Sequence, residues 1–492
     1  MIVIQITASV SCDLTFSLVF STTTSAFYPS SPRLLRPDPN PKHHHSVTDH
    51  NNHHQLIIII IITTTMPTIV LIGTCDTKLA EILYLRSQIL LHPDTNVHLI
   101  DVGREPVSHD AITYRPESKD IGSLPRNKLV EHMTRLATSH VESLFRQGQI
   151  HGIISLGGSN ATSLAAPVMR NAVPIGFPKL MVSTVASGDT GPYVGETDIT
   201  MMYSVVDVAG LNEVLRGVLE NAAGAVVGMA NAYEKRMRER QAEKERTEKE
   251  KKKIRVGITM FGVTTPGVDA IRQYFEEKYP IIETMVFHAT GHGGKAMERL
   301  IEAEELDAVI DLTTTEVADE LVGGVMSAGP GRMSAAVSRR IPYVVSLGAL
   351  DMVNFGPKET VPEKFRTDNT RKLYEHNPNV TLLRTSVEEC KKIGKEIADR
   401  LSQTEAPNKI MVWIPEGGVS MLSVPGGPFA DHDADQALFR AIRGGLEGTR
   451  IPYWEDDRNI NDKGFAQDVA ESMARLLGIS EDTRSLGSYY SP

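Results

Sequence analysis

Gly152-Ile-Ile-Ser-Leu-Gly-Gly-Ser-Asn160 is an apolar run that opens into two glycines and a hydroxyl residue. A helix-compatible stretch follows, then Val173-Pro-Ile and a second apolar run, Lys179-Leu-Met-Val-Ser-Thr184. The same script recurs further along. Asp307-Ala-Val-Ile-Asp-Leu-Thr-Thr-Thr-Glu316 leads through a helix-compatible stretch to Ile341-Pro-Tyr-Val-Val-Ser346. Each copy reads as strand, small-residue loop, helix and strand. Such a repeat predicts two α/β subdomains built alike. Loops at the carboxyl ends of parallel strands are where folds of this kind take ligands.

Composition narrows the class. Of 492 residues, 41% are apolar and 23% charged, ordinary values for a globular chain. A net charge of -10 gives no footprint for nucleic acid. Three cysteines, Cys12, Cys75 and Cys390, are too few for a disulfide framework, so a reducing, cytoplasmic setting is expected. Residues 1–65 mix Ser, Thr, Pro, His and Asn without a sustained period and are read as a disordered extension, with Met66 as a candidate true start. The histidines at 43–45 and 53–54 lack a ligand set of fixed spacing, and no metal site is expected. Leu56–Ile62 is far short of the ~20 residues of a membrane helix, so no membrane partner is expected.

The first subdomain is set at 66–232. Thr68-Ile-Val-Leu-Ile-Gly73 reads as a strand buried on both faces. Its turn, Gly73-Thr-Cys-Asp-Thr-Lys78, precedes a helical stretch from Leu79 to Leu91, which places backbone N–H groups where a phosphate can be held. Gly73, Thr74, Asp76, Thr77 and Lys78 are the candidates there, although a plain turn with Asp76 as helix cap fits equally well. The motif lacks the second glycine of a P-loop. Asp101 ends the strand starting at Val97, either as an acceptor for ribose hydroxyls or as a strand-end cap. Gly157, Gly158, Ser159 and Asn160 form the stronger phosphate candidate, because glycine lets the backbone approach a ligand. Ser187, Gly188, Asp189 and Thr190, after the strand ending near Thr184, are placed in the same cleft. Small-residue helices are expected over Val205–Met229.

Residues 233–253 are almost continuous charge of both signs, a linker or helical extension rather than a binding patch. The second subdomain runs over 254–480. Its strand ends carry Thr290-Gly-His-Gly-Gly-Lys295, the threonines at 313–315 and Gly348-Ala-Leu-Asp351. His292, flanked by glycines, is a catalytic candidate able to titrate near neutrality. Asp311 and Glu316 resemble a general acid/base pair in type, while helix capping is the simpler account of Glu316. Lys409–Ile414 and Arg450–Tyr453 are read as strands, with helices over Asp435–Leu446 and Phe465–Leu477.

Gly73-Thr-Cys-Asp-Thr-Lys78, Ser183-Thr-Val-Ala-Ser-Gly188, Gly257-Ile-Thr-Met-Phe-Gly-Val-Thr-Thr-Pro266, Thr313-Thr-Thr-Glu-Val-Ala-Asp319 and Gly348-Ala-Leu-Asp-Met-Val-Asn-Phe-Gly-Pro357 together resemble one uncharacterised family. It includes the N-terminal ATP-binding domain of the tomato tobamovirus resistance protein. The resemblance spans roughly Pro67 to Leu477. It implies two Rossmann-like subdomains with parallel sheets flanked by helices, ATP (with or without Mg²⁺) against Gly73–Lys78 and the loops at Gly157 and Ser187, and a homodimer. The plant member continues into a barrel-like domain beyond the stretch matched here, so activity inferred from that domain is not carried over. Two functions follow: nucleotide binding without chemistry, or a hydrolase or phosphoryl-transfer enzyme at the second-subdomain loops. The chain shows no recognisable Walker lysine with a Mg²⁺-binding partner, which weakens phosphoryl transfer.

Overall fold

A computed structural model of the chain describes residues 66–116, 123–246 and 253–480. The N-terminal extension, its histidines and the Leu56–Ile62 run lie outside the described residues. The described residues from Pro67 onward belong to one compact unit.

The first half alternates strands and helices: β1 (Thr68–Gly73), α1 (Cys75–Leu90), β2 (Asn96–Asp101), β3 (Ile112–Tyr114), α2 (Arg126–Arg146), β4 (Gly152–Gly157), α3 (Ser159–Ala172), β5 (Lys179–Ser183), α4 (Gly191–Val194), β6 (Thr200–Tyr203) and α5 (Glu213–Arg246). All its pairings are parallel, in the order β3-β2-β1-β4-β5-β6. The strands are buried on both faces, and alternation divides their side chains. Val70, Ile72 and Ile153 pack with α2 and α3, whereas Ile69, Leu71 and Ile154 pack with α1 and α5.

The second half continues with β7 (Ile254–Met260), α6 (Thr265–Lys278), β8 (Ile282–His288), α7 (His292–Glu302), β9 (Ala308–Thr313), α8 (Thr315–Val322), α9 (Ser334–Arg339), β10 (Tyr343–Gly348), β11 (Met352–Phe355), α10 (Glu363–Arg366), β12 (Leu373–Asn377), β13 (Val380–Arg384), α11 (Val387–Leu401), β14 (Ile410–Pro415), α12 (His432–Leu446), β15 (Tyr453–Asp456) and α13 (Lys463–Leu476). The second parallel sheet has the order β15-β14-β10-β9-β7-β8. In both sheets the first strand has its successor on one side and the next βαβ unit on the other. The two stretches of the sequence echo, β4-α3-β5 and β9-α8-α9-β10, therefore occupy corresponding places. The first sheet adds β3 at one edge and the second adds β15 at the opposite edge.

Several boundaries differ from the sequence expectation. Helix α1 begins at Cys75 rather than Leu79, with a kink at Lys78 (φ -133°). Residues 205–212 form a loop, and α5 starts at Glu213; it runs on to Arg246, which is the helical-extension alternative for the charged stretch. The last strand begins at Tyr453, where Arg450–Tyr453 was expected to end, because pairing with β14 starts there (Val412↔Tyr453). An antiparallel sheet, β11-β13-β12, was not anticipated.

Candidate functional site

At the carboxyl edge of the first sheet, the order reverses between β1 and β4, since β1 pairs with both β2 and β4. The loops after β1 and β4 lead to helices on opposite faces, which opens a crevice between the N-termini of α1 and α3. The unsatisfied N–H groups and dipole at a helix start favour an anion.

In the β4 loop Gly157 is buried and Gly158 half-buried. Gly157 has φ +150°, and a Cβ there would stand 2.5 Å from the Cβ of Ala161. Gly158 caps α3 in an extended conformation (φ -87°), and its nearest neighbour to a Cβ is Thr184 Oγ1 at 3.6 Å. Thr162 Oγ1 donates to the Gly158 carbonyl (2.9 Å) and lies 2.7 Å from Ser183 Oγ, which accepts the Val185 N–H (3.2 Å). These buried hydroxyls join the β4 and β5 loops. Ser159, Asn160, Ser187, Gly188 and Asp189 are exposed, and Thr190 is half-buried. Asp189 Oδ1 accepts the Gly191 N–H at the start of α4 (3.0 Å).

Across the crevice, the side chains of the β1 loop have other tasks. Gly73 lies under Ile82, which a side chain would strike. Thr74 and Thr77 pair through their hydroxyls (3.0 Å), and Lys78 is half-buried beside them. Asp76 Oδ2 accepts the N–H groups of Arg104 (2.7 Å) and Glu105 (3.1 Å), so it bridges two loops rather than capping its own helix. Asp101 is fully buried. Its Oδ1 accepts the N–H groups of Cys75 (3.0 Å) and Gly103 (2.9 Å), and its Oδ2 is ion-paired with Arg115. The strand-end reading of Asp101 is the one this geometry fits; a ribose acceptor needs an accessible carboxylate. Burial, with Asp101 and Asp76 adding to it, pushes the Cys75 thiol up to about 12, so it stays protonated.

The second-subdomain candidates do not converge on an open site. Asp311 and Glu316 are fully buried around the guanidinium of Arg332. Arg332 donates to both oxygens of Asp311 (2.6 Å each), to Glu316 Oε2 (2.7 Å) and to Glu298 Oε1 (3.2 Å). Tyr343 Oη also donates to Asp311 Oδ2 (2.8 Å), and Glu316 Oε1 accepts the N–H groups of Gly291 (2.7 Å) and Gly294 (3.0 Å). This corrects the expectation of an acid/base pair facing the loop: Glu316 holds the turn that starts α7, and Asp311 holds Arg332 with Tyr343 and Thr259. His292 is 74% exposed at the side chain and stands apart from them, its Nδ1 3.6 Å from Glu196 of the first subdomain.

Thr313, Thr314 and Thr315 are buried too. The switch point between β7 and β9 is covered by the β11-β13-β12 sheet and the segment after β14. Phe261, Val263, Ala349, Met352, Leu382 and Phe429 form one apolar cluster there, and the Met421 N–H donates to the Val263 carbonyl (3.1 Å). Sequence reading missed Arg332 and Arg115, whose partners are 21 and 14 residues away and carry no motif. Among the described residues no helix is long and apolar enough to cross a membrane.

Two parallel six-stranded sheets with helices on both faces, each reversing order at its first strand, define a Rossmann-like α/β protein. The chain belongs to the uncharacterised protein family UPF0261: the family's N-terminal domain matches residues 67–235 and its C-terminal domain residues 253–477. A UPF0261 protein of Clostridium tetani is 41% identical over 421 residues, covering 83% of this chain and 98% of that protein. The ToMV resistance protein Tm-1(GCR237) of Solanum lycopersicum is 38% identical over 442 residues, covering 83% of this chain and 56% of the tomato protein. A solved UDP-GlcNAc 2-epimerase from Neisseria meningitidis covers 57% of this chain and 82% of its own at 11% identity, and its TM-score of 0.18 is too low to carry an argument.

Proposed function

We propose that the protein binds ATP at the switch point of its first sheet, with the phosphates against the start of α3. The observation that carries this reading is Gly158. It sits at a helix N-terminus, in a conformation open to any residue, with no protein atom nearer than 3.6 Å to where a side chain would project. Glycine is a favoured helix cap, and at this strand end it also leaves a ligand room to approach the backbone. The exposed hydroxyls of Thr77, Ser159 and Ser187 and the half-buried Lys78 supply further donors. Asp76 and Asp101, which would repel phosphates, are engaged with backbone N–H groups and, for Asp101, with Arg115. ATP binding is also what the family resemblance implies. Mg²⁺ accompanying the triphosphate would find oxygen donors of the kind it prefers in these hydroxyls and Asp189. The same reading takes the protein as a cytoplasmic homodimer, which light scattering on the purified chain tests.

Calorimetric titration of the full chain with ATP is the direct test. Gly158→Val is expected to weaken binding at least tenfold, about 1.4 kcal/mol, while the protein stays folded and loses no more than a helix cap, about 1 kcal/mol. Undiminished affinity in a folded Gly158→Val protein would sink the site. The second-subdomain loops offer no comparable opening, since Asp311, Glu316 and Thr313 to Thr315 are all buried.

A further inference from the structure

In dinucleotide-binding folds the nucleoside commonly runs toward the strand after the first, where an acidic residue accepts its ribose hydroxyls. Here that side is closed. Asp101 is buried, and Arg115, which pairs with it, also donates to the carbonyls of Gly103 and Arg104 (3.0 Å each), lacing the segment after β2 over the end of its strand. Toward β5 and β6, by contrast, Ser187, Gly188 and Tyr203 are exposed.

That direction ends on an aromatic ring. The parallel registers align Gly157 with Ser183 and Ser183 with Tyr203, one row across the carboxyl edge. Two strand spacings put Tyr203 about 10 Å from Gly157. This is comparable to the reach from a purine ring to the outer phosphates of an extended nucleotide. Tyr203 is 43% exposed, and Val205 beyond it is 58% exposed. Between them the chain turns tightly: Ser204 is buried, its N–H donates to the Ser183 carbonyl (3.2 Å), and the Val206 N–H donates to the Ser204 carbonyl (2.7 Å). Val205 is thereby held at φ +65°. A β-branched residue in that region is strained, in a γ-type turn that is rare in itself. The polar turn Thr184–Ser187 packs against β6 and fills the interval between glycine and ring.

We infer that Tyr203, with Val205 beside it, is the shelf on which the base of the bound nucleotide stacks, so that the nucleoside lies over β5 and β6 and not over β2. This deepens the proposed ATP site and rests on it. Stacking reads area more than edge pattern, so the shelf prefers purine over pyrimidine nucleotides and discriminates weakly between adenine and guanine.

The test compares ATP, GTP, CTP and inorganic tripolyphosphate by calorimetry on the full chain, in the wild type, Tyr203→Ala and Tyr203→Phe. The expected result is ATP and GTP binding within about threefold of each other and CTP at least tenfold weaker. Tyr203→Ala should lose about tenfold for ATP, tripolyphosphate should be unchanged, and Tyr203→Phe should behave as wild type. ATP affinity unaltered in Tyr203→Ala, while Gly158→Val abolishes it, overturns the shelf alone. Wild type that binds tripolyphosphate as tightly as ATP also overturns it. Wild type that binds neither overturns the shelf and the phosphate site together.

Discussion

At the residue scale the most consequential side chains are buried carboxylates. Asp319 accepts the N–H groups of Met326 and Asn354 (3.1 Å each) at Oδ1 and the Asn354 amide (2.8 Å) at Oδ2. Burial still dominates and pushes its carboxyl up to about 7; Asp351, buried against Ser420, is pushed up to about 6. The folded state then holds protons that the unfolded chain, at an ordinary carboxylate value near 4, has released. The contribution of these groups is fully present below about pH 4 and is lost as pH rises through 6 and 7. The Asn354 Oδ1 has no partner among the described residues, so a flipped amide can accept from an asparagine at 319. Asp319→Asn is therefore expected to fold and to show a flatter fall of melting temperature between about pH 4 and pH 7. A slope identical to wild type, measured by scanning calorimetry, contradicts the assignment. Asp319 stood inside a recognisable motif, yet the motif did not say that it was buried. His292 was legible as exposed because glycines flank it; Asp311 and Glu316 misled because their common partner, Arg332, is far along the chain.

Elements separate glycines the sequence presents alike. Gly158 and Gly294 both lie at the start of a helix after a strand. A Cβ on Gly158 meets nothing closer than 3.6 Å, whereas one on Gly294 would strike the Glu316 carboxylate and stand 2.7 Å from Arg332 Nε. Gly294→Ala would pry apart a buried guanidinium and its carboxylates, at a cost on the order of 3 kcal/mol. Gly158→Ala should stay within about 1 kcal/mol of wild type, the size of a lost helix cap. Denaturant unfolding of the two variants checks the contrast, and equal losses would refute it. The helices and central strands were readable because their apolar periods are sustained. The strands β3, β6 and β11 to β13 are three to five residues long and carry too little pattern to be seen. The covering of the second switch point depends on three of them.

For the molecule as a whole, helix α7 of the second subdomain meets the first. Arg299 donates to the carbonyl of Arg170, near the end of α3, and to that of Glu196 just past α4 (3.4 Å). The opposite ends of those two helices border the proposed nucleotide crevice. Arg299→Ala should raise amide exchange in α7 and across residues 195–199 while both parallel sheets stay protected, because their cores are independent clusters. Exchange unaltered at that junction would show that Arg299 does not join the subdomains.

By itself the sequence determined two α/β units and the placing of a glycine loop at a strand end, because hydrophobic period and turn chemistry are local properties written into consecutive residues. Only the tertiary structure decided which of the two echoing edges is open. Closure of the second comes from a third sheet and from Arg332 drawing three carboxylates inward, and such long-range burial and charge pairing leave no local pattern to read.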